Sequence, residues 1–183
     1  LAMNCSGKHA GMLATCVING WPTDSYLDPE HPLQQAIKAE VEAMSGEKVV
    51  LTSVDGCGAP LFLFSLLGLA RAVRNLTISA DPVHQSVAQA CRDFPEMVSG
   101  PGRLATRLMQ HVPGLFMKDG AEAVNVASLP DGRTLAIKIS DGNQRAMSAI
   151  TAAALAKFGV DAQEAPVNTL GAGLPIGTIR ATL

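Results

Sequence analysis

Two short segments concentrate the side chains able to do chemistry. The first is Cys5-Ser6-Gly7-Lys8-His9, at the start of a stretch that reads as a helix. Residues three apart in a first helical turn share a face, so the Cys5 thiol and the Lys8 ammonium can meet. A neighbouring cation and a helix N-terminus both favour thiolate, which makes Cys5 a better nucleophile or metal ligand than an ordinary cysteine. The second is Asp55-Gly56-Cys57-Gly58, at the end of a short β-branched run. Glycines on both sides of Cys57 let backbone approach a ligand closely. Two thiolates drawn together beside a lysine or histidine would suit zinc, which takes soft sulfur and nitrogen donors in tetrahedral geometry. A cysteine at a helix start is also compatible with a small buried hydrophobe. No Cys-x-x-Cys or His-Glu-x-x-His pattern accompanies them, so spacing alone does not specify a metal.

The other candidates read more plainly. Cys16 and Cys91 fall on apolar helix faces and are expected to pack as small hydrophobes. His31, His84 and His111 read as loop or helix-surface residues. Met117-Lys118-Asp119-Gly120 places a lone lysine on a strand, where such a charge ordinarily guards a sheet edge. Asn168 to Gly177 is Gly-rich without phosphate-loop or dinucleotide spacing and reads as a structural tail.

These groups need elements to hold them. A helix is expected from Ser6 to Ile18, capped by Asn4 or Ser6, with Met12, Leu13, Cys16 and Val17 as its apolar face. His31-Pro32 opens a second helix, striped by Leu33, Ile37, Val41 and Met44 and stopped by Ser45-Gly46. Lys48 to Val54 reads as a strand running into the tight Asp55–Pro60 turn, and Leu61 to Asn75 as a buried strand end passing into a helix. Asp81-Pro82 starts another helix, with Val83, Val87, Ala90, Cys91 and Phe94 inward, and a shorter one spans Arg103 to His111. After Pro113-Gly114 the period changes to two. Strands are expected over Phe116–Leu129 and Arg133–Ser140, joined by Pro130-Asp131-Gly132 and backed by a Gln144–Phe158 helix capped by Asp141 or Asn143. A last strand is expected over Ile176–Leu183. This order is mixed α/β, of the α+β kind, rather than a strict βαβ alternation.

Composition bounds the partners. The 183 residues carry a net charge of −2, which argues against the basic face that nucleic-acid or membrane-surface binding needs. Charged residues are 16% of the chain against a usual ~25%, and 48% are hydrophobic, so a compact fold is expected. No run approaches the ~18 apolar residues of a membrane span. Four irregularly spaced cysteines do not make a disulfide scaffold, which points to a reducing, cytoplasmic setting. Residue 1 is Leu and no signal-peptide pattern follows, so residues 1–183 read as one domain from a longer chain.

Asn4-Cys5-Ser6-Gly7-Lys8-His9-Ala10-Gly11-Met12-Leu13, Asp55-Gly56-Cys57-Gly58-Ala59-Pro60 and Lys118-Asp119-Gly120-Ala121-Glu122, in that order, resemble the bacterial L-asparaginase II family of the rhizobial, thermolabile type. The resemblance runs to the Gly-rich end at Gly171–Arg180. It implies a serine-β-lactamase-like fold, an antiparallel sheet flanked by helices, of which this chain is the carboxy-terminal portion. It also implies homodimers that hydrolyse L-asparagine to L-aspartate and ammonia, with a zinc ion near the reacting centre. Carried onto this chain, the zinc ligands are Cys5, Lys8 and Cys57, and Asp55 holds a water on the metal. His9 then lies beside the metal or the substrate, and Lys118 matches a catalytic lysine on a strand facing the nucleophile. That nucleophile is a serine in Ser-x-x-Lys, with a second serine assisting. The one match here, Ser45-Gly46-Glu47-Lys48, falls at a helix end and reads as a turn, so the chain alone is expected to be inactive. Two alternatives stand beside this: an amidase using Cys5 as nucleophile with Lys8 as its activating cation, or a non-catalytic metal- or small-molecule-binding domain.

Overall fold

The computed structural model describes residues 5–164 and 167–183. They form two compact units, one ending at Gly68 and one beginning at Leu69. The alternative cap Asn4 and the tail's Pro166 lie outside the described residues.

In the first unit, α1 (Ser6–Asn19) starts at Cys5, whose side chain makes no capping bond, and stops at Gly20. Gly20 has φ +66°, a left-handed conformation that costs glycine little, and Trp21 N–H donates back to the Cys16 carbonyl at 2.9 Å. Met12 and Cys16 are buried against Leu33 and Ala59, with Trp21, Tyr26 and Ile37 around them. Val17, expected on the same face, is 70% exposed, because this cluster is too narrow to reach it. The second helix, α2 (Pro32–Ser45), keeps its expected limits. Its cap is His31, whose Nδ1 accepts from Leu33 N–H at 3.1 Å while its Nε2 meets the Pro22 carbonyl at 3.0 Å. With both ring nitrogens engaged, His31 is buried rather than on the surface. Buried Gln34 ties α2 to the preceding loop by donating to the Tyr26 carbonyl at 2.7 Å.

The strand expected from Lys48 begins later. Glu42 draws the preceding residues to itself, accepting from Lys48 Nζ at 2.6 Å and Val49 N–H at 3.0 Å. Only then do β1 (Leu51–Val54) and β2 (Pro60–Leu63) pair, antiparallel, with Val54 opposite Pro60. Leu61 is exposed rather than buried, since a two-stranded ribbon has one layer to cover two faces, and Leu66 and Leu67, in the first turn of the helix that follows, are exposed too.

Helix α3 (Leu66–Ile78) leads into the second unit, followed by α4 (Pro82–Asp93), α5 (Pro95–Ser99) and α6 (Leu104–His111). Asp81 caps α4 as expected, accepting from Val83 N–H at 2.7 Å. The helix is turned differently, however. Ala88 is buried, whereas Val83, Val87 and Phe94 are exposed, the last at 58%. Ala88 follows Val87 by one residue, so the buried face lies about 100° round the helix from the expected stripe.

The strand expected over Phe116–Leu129 is two strands. The chain bends at a short 3-10 turn, Ala121–Ala123, with Glu122 and Ala123 at φ +53° and +57°. That turn separates β3 (Phe116–Gly120) from β4 (Val124–Ser128), and β5 (Thr134–Lys138) completes an antiparallel sheet in the order β3-β4-β5. The Pro130–Gly132 turn joins β4 to β5 as read. The expected last helix starts as a 3-10 turn, Gln144–Ala146, capped by Asn143, and continues as α7 (Met147–Lys157). It backs the sheet: Leu155 joins Leu108, Leu115, Met117, Ala127 and Leu135 in one buried cluster, and Asn125 Nδ2 donates to Thr151 Oγ1 at 3.3 Å. Residues after 166 form the hairpin β6 (Val167–Gly171) and β7 (Leu174–Ile179), so the last strand ends before Leu183. The α+β class is as expected. Among the described residues, no helix is long and apolar enough to cross a membrane.

Candidate metal centre

The first unit brings its two chemical segments together. Between β1 and β2, Asp55 N–H donates to the Ala59 carbonyl at 2.8 Å and Gly58 N–H to the Asp55 carbonyl at 2.9 Å. Gly58 sits at φ +86°, which closes the loop and presents Asp55 and Cys57 side by side. The first turn of α1 supplies Cys5 and Lys8. Donor atoms of Cys5, Asp55 and Cys57 all lie within 4.8 Å of one another. Tetrahedral zinc with ~2.3 Å sulfur bonds sets its ligand atoms roughly 3.8 Å apart, a spacing of the same order. Two thiols with a carboxylate are donor chemistry that zinc accepts, and the Lys8 amine beside them is a further nitrogen donor once deprotonated.

Lys8 belongs to this cluster: it feels the charge of Cys5, as its spacing suggested, and its hydrogen bonds go to the hairpin loop. Its Nζ donates to Cys57 Sγ at 3.2 Å and to Asp55 Oδ2 at 3.1 Å, forming no hydrogen bond with Cys5. Burial works against the Lys8 charge, yet the bonds to Cys57 and Asp55 outweigh it and hold the amine above its usual pKa. Asp55 is held below the usual carboxylate range, first by Lys8 and then by the N–H of Gly56. The Cys57 thiol is lowered to about 7, chiefly by the N–H of Ala59 and then by His9 and Lys8, with Asp55 and burial opposing. Cys57 is therefore an activated thiol at neutral pH.

His9 faces the cluster from α1. Its Nδ1 lies 2.7 Å from the Tyr26 hydroxyl, with the rings edge to face. Its Nε2 is buried with no hydrogen bond of normal geometry, although the ring is near enough to favour the Cys57 thiolate. A ring nitrogen shielded from water beside the Cys57 thiol is a second feature of this cluster that a bound group could use. Tyr26 was not legible as a site residue. It is the one tyrosine of the chain, in a loop, with no motif around it.

The remaining candidates lie elsewhere. Lys118 belongs to the second unit, exposed on β3. Among the described residues its Nζ meets only Asp119, at the backbone carbonyl and, 3.6 Å away, at the carboxylate. Asp119 is also held by Ser99 Oγ at 2.9 Å. Ser45 is buried, with its hydroxyl 3.4 Å from the carbonyls of Glu42 and Glu47, and Lys48 pairs with Glu42. Ser45 and Lys48 thus serve the end of α2, as the sequence indicated. All four cysteines are free.

Compared with known protein families, the chain matches L-asparaginase II over residues 1–174. A search of curated proteins finds no match. The family match covers both chemical segments and the Lys118 strand, and on this basis the chain belongs to the L-asparaginase II family.

Proposed function

We propose that this chain carries the metal-binding part of an asparaginase-type amidohydrolase acting on L-asparagine, in a homodimeric enzyme. The observation that carries the reading is the convergence of Cys5, Lys8, Asp55 and Cys57 within a chain of this family. Cys5 and Cys57 would hold zinc as thiolates, with Lys8 as a third ligand once its amine gives up a proton. Bound zinc would supply fixed positive charge beside the reacting amide. Asp55 accepts hydrogen bonds from Lys8 and Gly56, which leaves lone pairs free to orient a water or a substrate amine. Tyr26 fixes the ring of His9, so that Nε2 stays turned toward the cluster. Lys118 would act as the catalytic lysine of the second unit.

Covalent amide hydrolysis needs a nucleophile, a base to deprotonate it and donors for the oxyanion. Ser45 is excluded as the nucleophile by its burial and its bonds to the end of α2. The test is ammonia release from L-asparagine by the purified chain, with and without a chelator. No turnover is expected from the chain alone. Turnover is expected when the Ser-x-x-Lys segment of a family member is supplied, and it should fall in Cys57→Ala. Turnover by the chain alone that survives chelation and disappears in Cys57→Ala or Cys5→Ala would overturn this in favour of a thiol nucleophile.

A further inference from the structure

A second site, independent of the metal centre, is visible in the second unit. Between the end of α3 and one face of α4 lies an open cleft of about 600 Å³, lined by Thr77, Ser79, Gln85, Ser86, Gln89 and Arg92 among others. Its volume falls within the ~300–1,000 Å³ range of small-ligand sites. Among the described residues, the one charged side chain that lines it is Arg92. Nε and Nη2 of Arg92 are shielded from water and meet no acceptor. Those two nitrogens form the edge of the guanidinium that grips a carboxylate with two parallel hydrogen bonds.

The polar side chains that line the cleft bond to one another's backbone or to neighbouring residues, not to Arg92. Gln89 Nε2 donates to the carboxylate of Asp93, the next residue after Arg92, at 2.7 Å. The Ser79 carbonyl accepts from Gln85 Nε2 at 3.1 Å. Thr77 Oγ1 faces the Arg74 carbonyl and Ser128 Oγ, and Ser86 Oγ donates to the Val83 carbonyl. A guanidinium edge removed from water without a partner costs more than an ordinary hydrogen bond returns. An anion that supplies the missing acceptors recovers that cost. We propose that this cleft binds a small free carboxylate, held in bidentate fashion by Nε and Nη2 of Arg92, with Gln85 and Gln89 swinging aside to admit it. A planar carboxylate matches the two-nitrogen edge better than a tetrahedral oxyanion does.

Succinate, with inorganic phosphate as the tetrahedral comparator, is titrated into the protein at constant ionic strength. The Arg92 Nε–H resonance is followed by NMR, and affinity by calorimetry. A saturable shift of that resonance with succinate, weaker binding of phosphate, and at least about tenfold weaker succinate binding in Arg92→Lys are expected, because the lysine keeps the charge and loses the fork. An unmoved resonance with either anion, tighter binding of phosphate than of succinate, or undiminished binding in Arg92→Lys would overturn the proposal. If Arg92→Lys does not fold, the native resonance, assigned through its own backbone, decides the question.

Discussion

The two units are stabilised by different means. The second closes on an apolar cluster in which Leu108, Leu115, Met117 and Leu155 are fully buried between α6, the sheet and α7. Among its described residues, the first buries Met12, Cys16, Leu33 and Ala59 as its apolar centre. Much of its remaining order is polar: His31 capping α2, Gln34 reaching the Tyr26 carbonyl, Glu42 gathering Lys48 and Val49, and Lys8 bridging Asp55 and Cys57. A core of that size contributes little, and exposed ion pairs add at most about 1 kcal/mol each. The unit that bears the candidate site is thus the one with most to gain from a bound ion.

The comparison breaks most easily in the second unit. Leu155→Ala should cost about 2–5 kcal/mol, read from urea denaturation, because it leaves a cavity in the fully buried cluster. A Met12→Ala cost equal to or above it would erase the contrast. In the first unit the largest effect should come from metal. Zinc at a hundred times its dissociation constant should add about 2.7 kcal/mol, seen as slowed amide exchange in α1 and the β1–β2 hairpin. Amides of α7 and β4 should be unaffected. An equal response in both units would show binding elsewhere.

Local chemistry made much of this legible in the sequence, and burial made the rest illegible. Asp81-Pro82, His31-Pro32 and Gly46 state helix limits in residues whose capping geometry is short-range, and those limits stand. The face that α4 presents is different. Val83, Val87 and Phe94 form a sound apolar stripe, but small Ala88 allows close approach and is the residue buried. The β3–β4 turn was hidden for a related reason. Ala121-Glu122-Ala123 has no turn residues, and the surrounding fold holds two of them at positive φ. At the candidate site, residue types singled out Cys5, Lys8 and Cys57, the family resemblance added Asp55, and the fold brings the four together. Helical spacing placed Lys8 near Cys5, whose charge it feels, but could not show Cys57, which the hairpin brings to it from 49 residues away. Tyr26 could be found only in three dimensions.

Smaller effects sharpen the contrast. His31→Ala should destabilise the first unit by ~1–2 kcal/mol through loss of the α2 cap, while His31→Asn, which can still cap, should recover part of it. Alkylation of the chelator-treated protein should separate the thiols. Cys57 should reach half its limiting rate near pH 7, whereas burial pushes Cys91 up, so that it reacts only under more alkaline conditions. Asp55 is held below the usual carboxylate range, so its pairing with Lys8 contributes fully near neutrality. That contribution is lost as pH falls through the lowered value. Alkylation of Cys91 ahead of Cys57 at neutral pH would contradict the geometry of the loop.

The most direct measurement is zinc content. The native chain, Cys5→Ala and Cys57→Ala are each equilibrated with stoichiometric zinc, freed of unbound metal and analysed by mass spectrometry, with folding of the second unit checked by amide exchange. One zinc per native chain is expected, and none above background in either variant while α7 and the three-stranded sheet stay protected. Zinc retained in full by Cys57→Ala, or a native chain that binds none, would contradict the assignment of this cluster as a metal centre.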